Sequence, residues 1–238
     1  MAADNCSCKS HFWSGLFVMI GLVFLGIMIP VSVAKNKSYD RTVTVKGLCE
    51  KEVMADKVIW PLVIKVAGND FSQVYKAMEK QNSTIRAFLK EGGVKEEEIS
   101  LSKIEVDDNN TDNYNNYRSM RYILKSVITV CSSDVDRVRG LIARQNELIE
   151  RGVLLVNDWN TEIRYSYESL NEIKPGMVEE ATKNARQVGE KFAEDSQSRL
   201  GKIKTASQGT FSINDRDSNT PWIKTVRVVN VVTYYIVD

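Results

Sequence analysis

Residues 13–33 read WSGLFVMIGLVFLGIMIPVSV, with no charged side chain among them. A run of about 20 apolar residues is the length at which a helix crosses a bilayer. No polar face interrupts this run, as one would in an amphipathic helix lying on a globular core. Trp13, Phe17, Leu22, Phe24 and Ile29 are its bulky members. Two uses fit the segment. One is a retained anchor; the other is a cleaved secretory signal with Ser32-Val33-Ala34 as a small-x-small site. The run exceeds the roughly 7–15 residues of a signal core, which favours retention. The chain therefore divides into a short tail (1–12), an anchor or signal (13–34), a polar linker KNKSYD (35–40) and a domain over 41–238.

Within that domain the pattern switches between the period of a strand and that of a helix. Strands are predicted over 41–50 and 55–67, the second carrying Pro61, which belongs at an edge or a bulge. A helix follows over 70–91, with Phe71, Val74, Met78, Ile85 and Leu89 on one face and Gly92-Gly93 as its stop. Strands over 100–106 and 118–131 flank the polar tip DDNNTDNYNNY. Ser133-Asp134 caps a second helix reaching Arg151, with Val135, Val138, Leu141, Ile142 and Ile149 on its apolar side. Ile163, Tyr165 and Tyr167 alternate with polar residues in a further strand. The third helix is predicted from Pro175 to Leu200, closed by Gly201, with a small residue at every fourth position: Ala181, Ala185, Gly189 and Ala193. Such a stripe lets the helix approach a sheet or a second helix closely. Strands over 202–213 and 225–237 complete the chain, separated by NDRDSNTP. The last strand, TVRVVNVVTYYIV, is apolar on both faces apart from Arg227 and Asn230. It is either central in a sheet covered on both sides or buried in an assembly. The order ββαββαβαββ predicts an α+β fold, antiparallel sheet packed with three helices, preceded by an N-terminal transmembrane helix.

Composition narrows the chemistry. Lys plus Arg number 32 against 31 acidic residues, so the net charge is +1. No long basic stripe interleaved with aromatics is present, and no nucleic-acid partner is expected. The one histidine, His11, precedes the apolar segment, so the body has no imidazole for Ser–His or Cys–His nucleophile pairs or for histidine-bound zinc. Asp107, Asp108 and Asp112 miss the spacing of a calcium loop, and neither metal nor cofactor is expected. Cys6 and Cys8 lie in the tail; Cys49 and Cys131 are either a disulfide or two separate small thiols. Carboxylate chemistry would have to come from Glu162 with Glu168, or Glu179 with Glu180, and a solvated charged face has the same pattern. Trp159, Trp222, Tyr165 and Tyr167 either line a ligand site or fill the core. Lys9 before the apolar segment, against Lys35, Lys37 and Arg41 after it, leaves the orientation unsettled by charge.

The motif order resembles the SIMPL-domain family, whose bacterial members include periplasmic immunogenic proteins. The resemblance rests on Val43-Thr44-Val45-Lys46-Gly47, on Gly92-Gly93-Val94 before Ile99, on the Ala-patterned third helix running into Leu200-Gly201-Lys202-Ile203, and on the valine-rich closing strand. The chain departs from the family pattern at Cys49, where a second glycine is frequent, at Ala55-Asp56, where Pro-Asp is frequent, and at Glu194-Asp195-Ser196-Gln197. The resemblance implies an exported envelope protein with no agreed catalytic residues, some relatives forming ring-like oligomers with a loose link to envelope or oxidative stress defence. The expectation is thus a non-catalytic protein, held at a membrane with its body in the periplasm or cell envelope. It would act as a homo-oligomer or by binding a protein partner. A small-ligand module, or a carboxylate-dependent enzyme, is the alternative.

Overall fold

The computed structural model describes residues 17–28, 41–110, 120–156 and 162–237. Its elements are α1 (17–28), β1 (Thr42–Met54), β2 (Lys57–Gly68), α2 (Phe71–Glu91), a 3-10 turn (Glu96–Glu98), β3 (Ile99–Leu101), β4 (Glu105–Asp108) and β5 (Tyr122–Ser132). They continue with α3 (Val135–Ala143), α4 (Asn146–Glu150), β6 (Arg164–Ser166), α5 (Leu170–Asp195), β7 (Arg199–Ser207), β8 (Ser212–Asp215) and β9 (Ile223–Val237). The fold is α+β with antiparallel sheets, as the pattern predicts. One sheet has the order β1-β9-β7, with β8 also on β9; the other has the order β3-β5-β2-β6, with β4 also on β5. The chain divides into two compact units: one holds residues up to 49 with 176–210 and 228–238, the other 50–175 with 211–227.

In the second unit β2 and β5 run antiparallel in unbroken register from Val58↔Ser132 to Gly68↔Tyr122. Alternate residues of both strands, Val58, Trp60, Leu62 and Ile64 with Leu124, Ile128 and Val130, form the buried face. Val74, Met78, Ile85, Phe88 and Leu89 of α2, Val138 and Leu141 of α3, and Leu148 of α4 complete this core. Pro61 sits inside β2, at a place where its missing N–H costs nothing. Val63 accepts the Val156 N–H at 2.9 Å, so the odd residues of β2 point their polar groups to the β6 edge. That edge is paired at Lys57–Ile59 and again at Ile64↔Leu155, and Pro61 falls in the interval.

Several elements depart from the pattern, each for a local reason. The strand expected over 100–106 is two strands, because four steps from Leu101 to Glu105 face three from Ile128 to Lys125, a one-residue bulge. The strand after α5 is likewise divided: five steps from Ser207 to Ser212 face four from Val231 to Arg227. The second helix breaks after Ala143, leaving Leu148 buried and Ile149 exposed. The third helix begins at Leu170 instead of Pro175, which lies within it. It also ends earlier than Gly201. The Ser198 N–H reaches Ala193 O at 2.8 Å and the Gln197 N–H reaches Glu194 O at 2.9 Å. These are the paired bonds of a Schellman stop, with Gln197 in the left-handed region at φ 57°. Helix α2 ends in the same motif, there with Gly93 at φ 82°.

In the first unit α5 lies on β1 and β9. Met177, Ala181, Ala185, Gly189 and Ala193 are its buried positions. A β-carbon on Gly47 would stand 1.8 Å from the Ala181 carbonyl oxygen and 2.4 Å from the Ala185 nitrogen, so helix and strand meet backbone to backbone. Val45, Ala185, Val232 and Tyr234 make up the small core. Buried Asn230 on β9 donates to Val178 O at 3.1 Å and to Thr182 Oγ1 at 3.0 Å, tying the strand to the helix. The small-residue stripe is thus an intramolecular contact.

Helix α1 is uncharged, and its large side chains are each 50% to 66% exposed. Among the described residues no helix is long and apolar enough to cross a membrane. The rest of the expected 13–34 segment, Trp13 and Ile29 included, lies outside the described residues.

Two substitutions at the α5 contact should act alike. Gly47→Ala and Ala185→Leu should each cost about 3 kcal/mol in urea unfolding, the upper end for overpacking, because backbone cannot move aside. Gln197→Gly should act the other way and stabilise by about 1 kcal/mol, since it removes a left-handed residue carrying a β-carbon.

Candidate functional site

Among the described residues, no helix covers the face of β9 opposite α5. Val228, Asn230, Val232 and Tyr234 are buried on the helix side, while Val229, Val231, Thr233 and Tyr235 on the other side are half-buried. The Thr44 and Thr233 hydroxyls meet at 2.9 Å on this open side, and the Lys204 ammonium lies 5.5 Å from the Tyr235 ring centre. Leu48 of β1 is exposed beside them in sequence alternation. The two-sided apolar pattern of the closing strand therefore resolves into one covered face and one open face of mixed valine, threonine and tyrosine character. Edge strand β7 is exposed along most of its length, and its register against β9 shifts twice.

The thiols and carboxylates singled out in the sequence go to separate tasks. Cys49 is buried, and its Sγ donates to Glu180 Oε2 at 3.3 Å; Cys131 is exposed on β5, and neither forms a disulfide. Strand β6 is only three residues long, so Glu162 and Glu168 flank it instead of sharing it. Glu168 is ion-paired to Lys57 at 2.8 Å. Glu179 and Glu180 lie side by side on α5. Asp108 is held by Arg121 through two contacts of 3.2 Å. Among the described residues no group of three or more His, Cys, Asp or Glu side chains is placed to hold a metal ion. Asp112, His11, Cys6, Cys8 and Trp159 lie outside the described residues.

Two of the four aromatic candidates do come together. Tyr165 and Trp222 pack edge to face, 6.2 Å between ring centres at 70°. The Arg139 guanidinium of α3 lies 3.9 Å above the Trp222 ring, a cation–π contact. Burial pushes the Tyr165 hydroxyl above its ordinary pKa, with the Arg139 charge pulling weakly the other way. Arg139, half-buried here, carried no signal in the sequence that set it apart from the other arginines. Tyr167 faces a different group, where burial raises its pKa with help from Glu172 and Asp56.

Asp56 itself is a clasp. Its carboxylate accepts the Glu168 N–H at 2.8 and 3.0 Å and the Ser169 N–H at 2.7 Å, just before α5 begins. Burial pushes its pKa up, and the hydrogen bonds from Glu168 and Ser169 outweigh that and hold it below the ordinary value. The loop at 214–221 is organised by a second aspartate. Asp217 takes the Thr220 hydroxyl, Arg216 at 3.0 Å, and the Asn219 and Thr220 N–H groups at 2.8 Å, and its pKa is lowered to about 2.

The described residues thus form an α+β fold of two antiparallel sheets, each with helices packed against one face. The chain belongs to the SIMPL family, described as a protein of unknown function (DUF541), whose model matches residues 43–226. No curated protein matches the chain.

The contribution of Asp56 carries a pH signature. A carboxylate with a lowered folded pKa stabilises above its unfolded pKa, and this is lost as pH falls through the folded value. Asp56→Ala should cost about 1–2 kcal/mol at pH 7, as loss of a capping carboxylate does. Its unfolding free energy should converge on that of the wild type as pH falls below about 4, the ordinary aspartate range.

Proposed function

We propose that this chain is a membrane-tethered envelope domain that works by assembling with further copies of itself, and not by catalysis. The observation that carries this reading is the open face of β9, a central strand whose Val229, Val231 and Tyr235 are left half-buried beside Thr44 and Thr233. A central strand with branched apolar residues on both faces gains most when both are covered. The face is mixed and not greasy, which suits an interface formed after folding. A second copy presents the same surface, and two-fold pairing of identical patches is the commonest way to close one.

The tether rests on α1. A helix of 12 uncharged residues with its large side chains exposed is costly in water and stable in hydrocarbon. The residues either side of it extend the uncharged run to 13–33, long enough to span. Placement of the body outside the cytoplasm, in the periplasm or envelope, and a part in envelope or oxidative stress defence follow from the family resemblance. The lack of any body histidine supports a non-catalytic role.

The test is the absolute mass of the full chain in detergent, by light scattering behind a sizing column. A discrete multimer that persists on dilution is expected, and Val231→Glu should reduce it to the monomer without lowering the melting temperature by more than a few degrees. A wild-type monomer at every concentration overturns the assembly reading. The tether is checked separately: removing residues 1–35 should leave a soluble folded domain that no longer floats with lipid vesicles.

A further inference from the structure

The pairing of Arg139 with Trp222 leaves a cleft with an unusual balance of donors and acceptors. The cleft measures about 460 Å³ and lies between α3 and the Tyr165–Trp222 pair, all within the second unit. Arginine carries five N–H donors. One of them reaches Asp136 at 3.1 Å, and the guanidinium carbon lies 3.9 Å from the centre of the Trp222 ring. Asp136 is 81% exposed and sits three residues away on the same helix, the weakest kind of ion pair, easily exchanged for another anion. The Tyr165 hydroxyl and the Trp222 indole N–H have no hydrogen-bond partner among the described residues. Three donor-bearing side chains, Arg139, Tyr165 and Trp222, thus line the cleft, and Asp136 is the one charged acceptor among the described residues lining it.

The floor of the cleft is apolar and open. Gly140 lies inside α3, and a β-carbon there would meet nothing within 4 Å. Glycine inside a helix is less stable than alanine, and no packing contact compensates for it here. The missing side chain leaves a flat strip beside Ile142 and Trp222. A planar hydrocarbon fits such a strip, and a single cation with two neutral donors matches one carboxylate better than a phosphate, which is held by several cations.

We propose that this cleft binds a small aromatic carboxylate. The ligand carboxylate takes Arg139 in place of Asp136, and its ring lies along Gly140 against Trp222 and Tyr165. The cation–π contact with Trp222 keeps the guanidinium at the cleft, where its remaining N–H groups can take a carboxylate in bidentate fashion.

Phenylacetate is the probe and phenylethanol its uncharged counterpart, each titrated against the full chain in nanodiscs by saturation-transfer NMR, with empty nanodiscs as the blank. Phenylacetate should bind saturably and about tenfold more tightly than phenylethanol, the ratio expected from one charge-assisted hydrogen-bonded pair. Arg139→Gln should abolish that preference and leave phenylethanol binding unchanged. Gly140→Leu should abolish binding of both probes, with a melting temperature equal to or above the wild type. The proposal is overturned by equal binding of the two probes, by no saturable binding up to about 10 mM, which corresponds to negligible affinity, or by unchanged binding in Gly140→Leu. Should Gly140→Leu fold poorly, the Arg139→Gln comparison decides alone, and a carboxylate preference that survives it is fatal to the idea.

Discussion

The approach of α5 to β1 at Gly47 is the constraint on which the first unit depends. With no β-carbon on the strand and only methyl groups or hydrogen on the helix, the two backbones come within van der Waals distance. Each alanine buries little apolar surface, so cohesion there comes from density of contact rather than from large side chains. Directed hydrogen bonds supplement it: Asn230 of β9 reaches back to Val178 and Thr182, and Asn184 of α5 donates to Leu48 O at 2.8 Å. The same arrangement determines what is left over. A helix that spends its small residues on one side of β9 offers nothing to the other side, and the open valine and tyrosine face follows.

The second unit is built on the opposite principle. Phe88, Leu62, Ile64, Met78 and Ile85 are among its largest fully buried side chains, and three helices cover one sheet face with them. A thick core of this kind tolerates interruptions at its margin, such as the bulge between β3 and β4 and the break between α3 and α4. Polar groups then serve as fasteners at element ends. Asp56 holds the loop before α5, Asp217 holds the turn before β9, and Ser132 bonds Glu98 at 2.5 Å while accepting the Asp134 N–H at 3.0 Å. The lowered carboxylate pKa values arise from such fastening: by arginine or lysine side chains at Glu91, Glu96, Asp108 and Glu147, by the Ser132 hydroxyl at Glu98, and by the Thr220 hydroxyl and then Arg216 at Asp217. Perturbed titration here marks construction, and by itself points to no reacting centre.

The sequence by itself determined the broad plan. Alternation in β1, β2, β5 and β9, the heptad-like face of α2, and the Gly92-Gly93 stop are local signals, set by side-chain period and backbone freedom. Each is read within a single element of 21 residues or fewer, and the small-residue stripe of α5 likewise announced a close contact. Tertiary structure decided the rest. The bulges that divide β3 from β4 and β7 from β8 depend on register against a distant strand, which no local pattern encodes. The end of α5 at Gln197 uses a residue type with no preference for the left-handed region, so its signal was absent. Arg139 became notable only when residues 83 positions away brought Trp222 beneath it. Which face of β9 is covered was also undecidable along the chain, because valine on both sides reads the same until a helix chooses one.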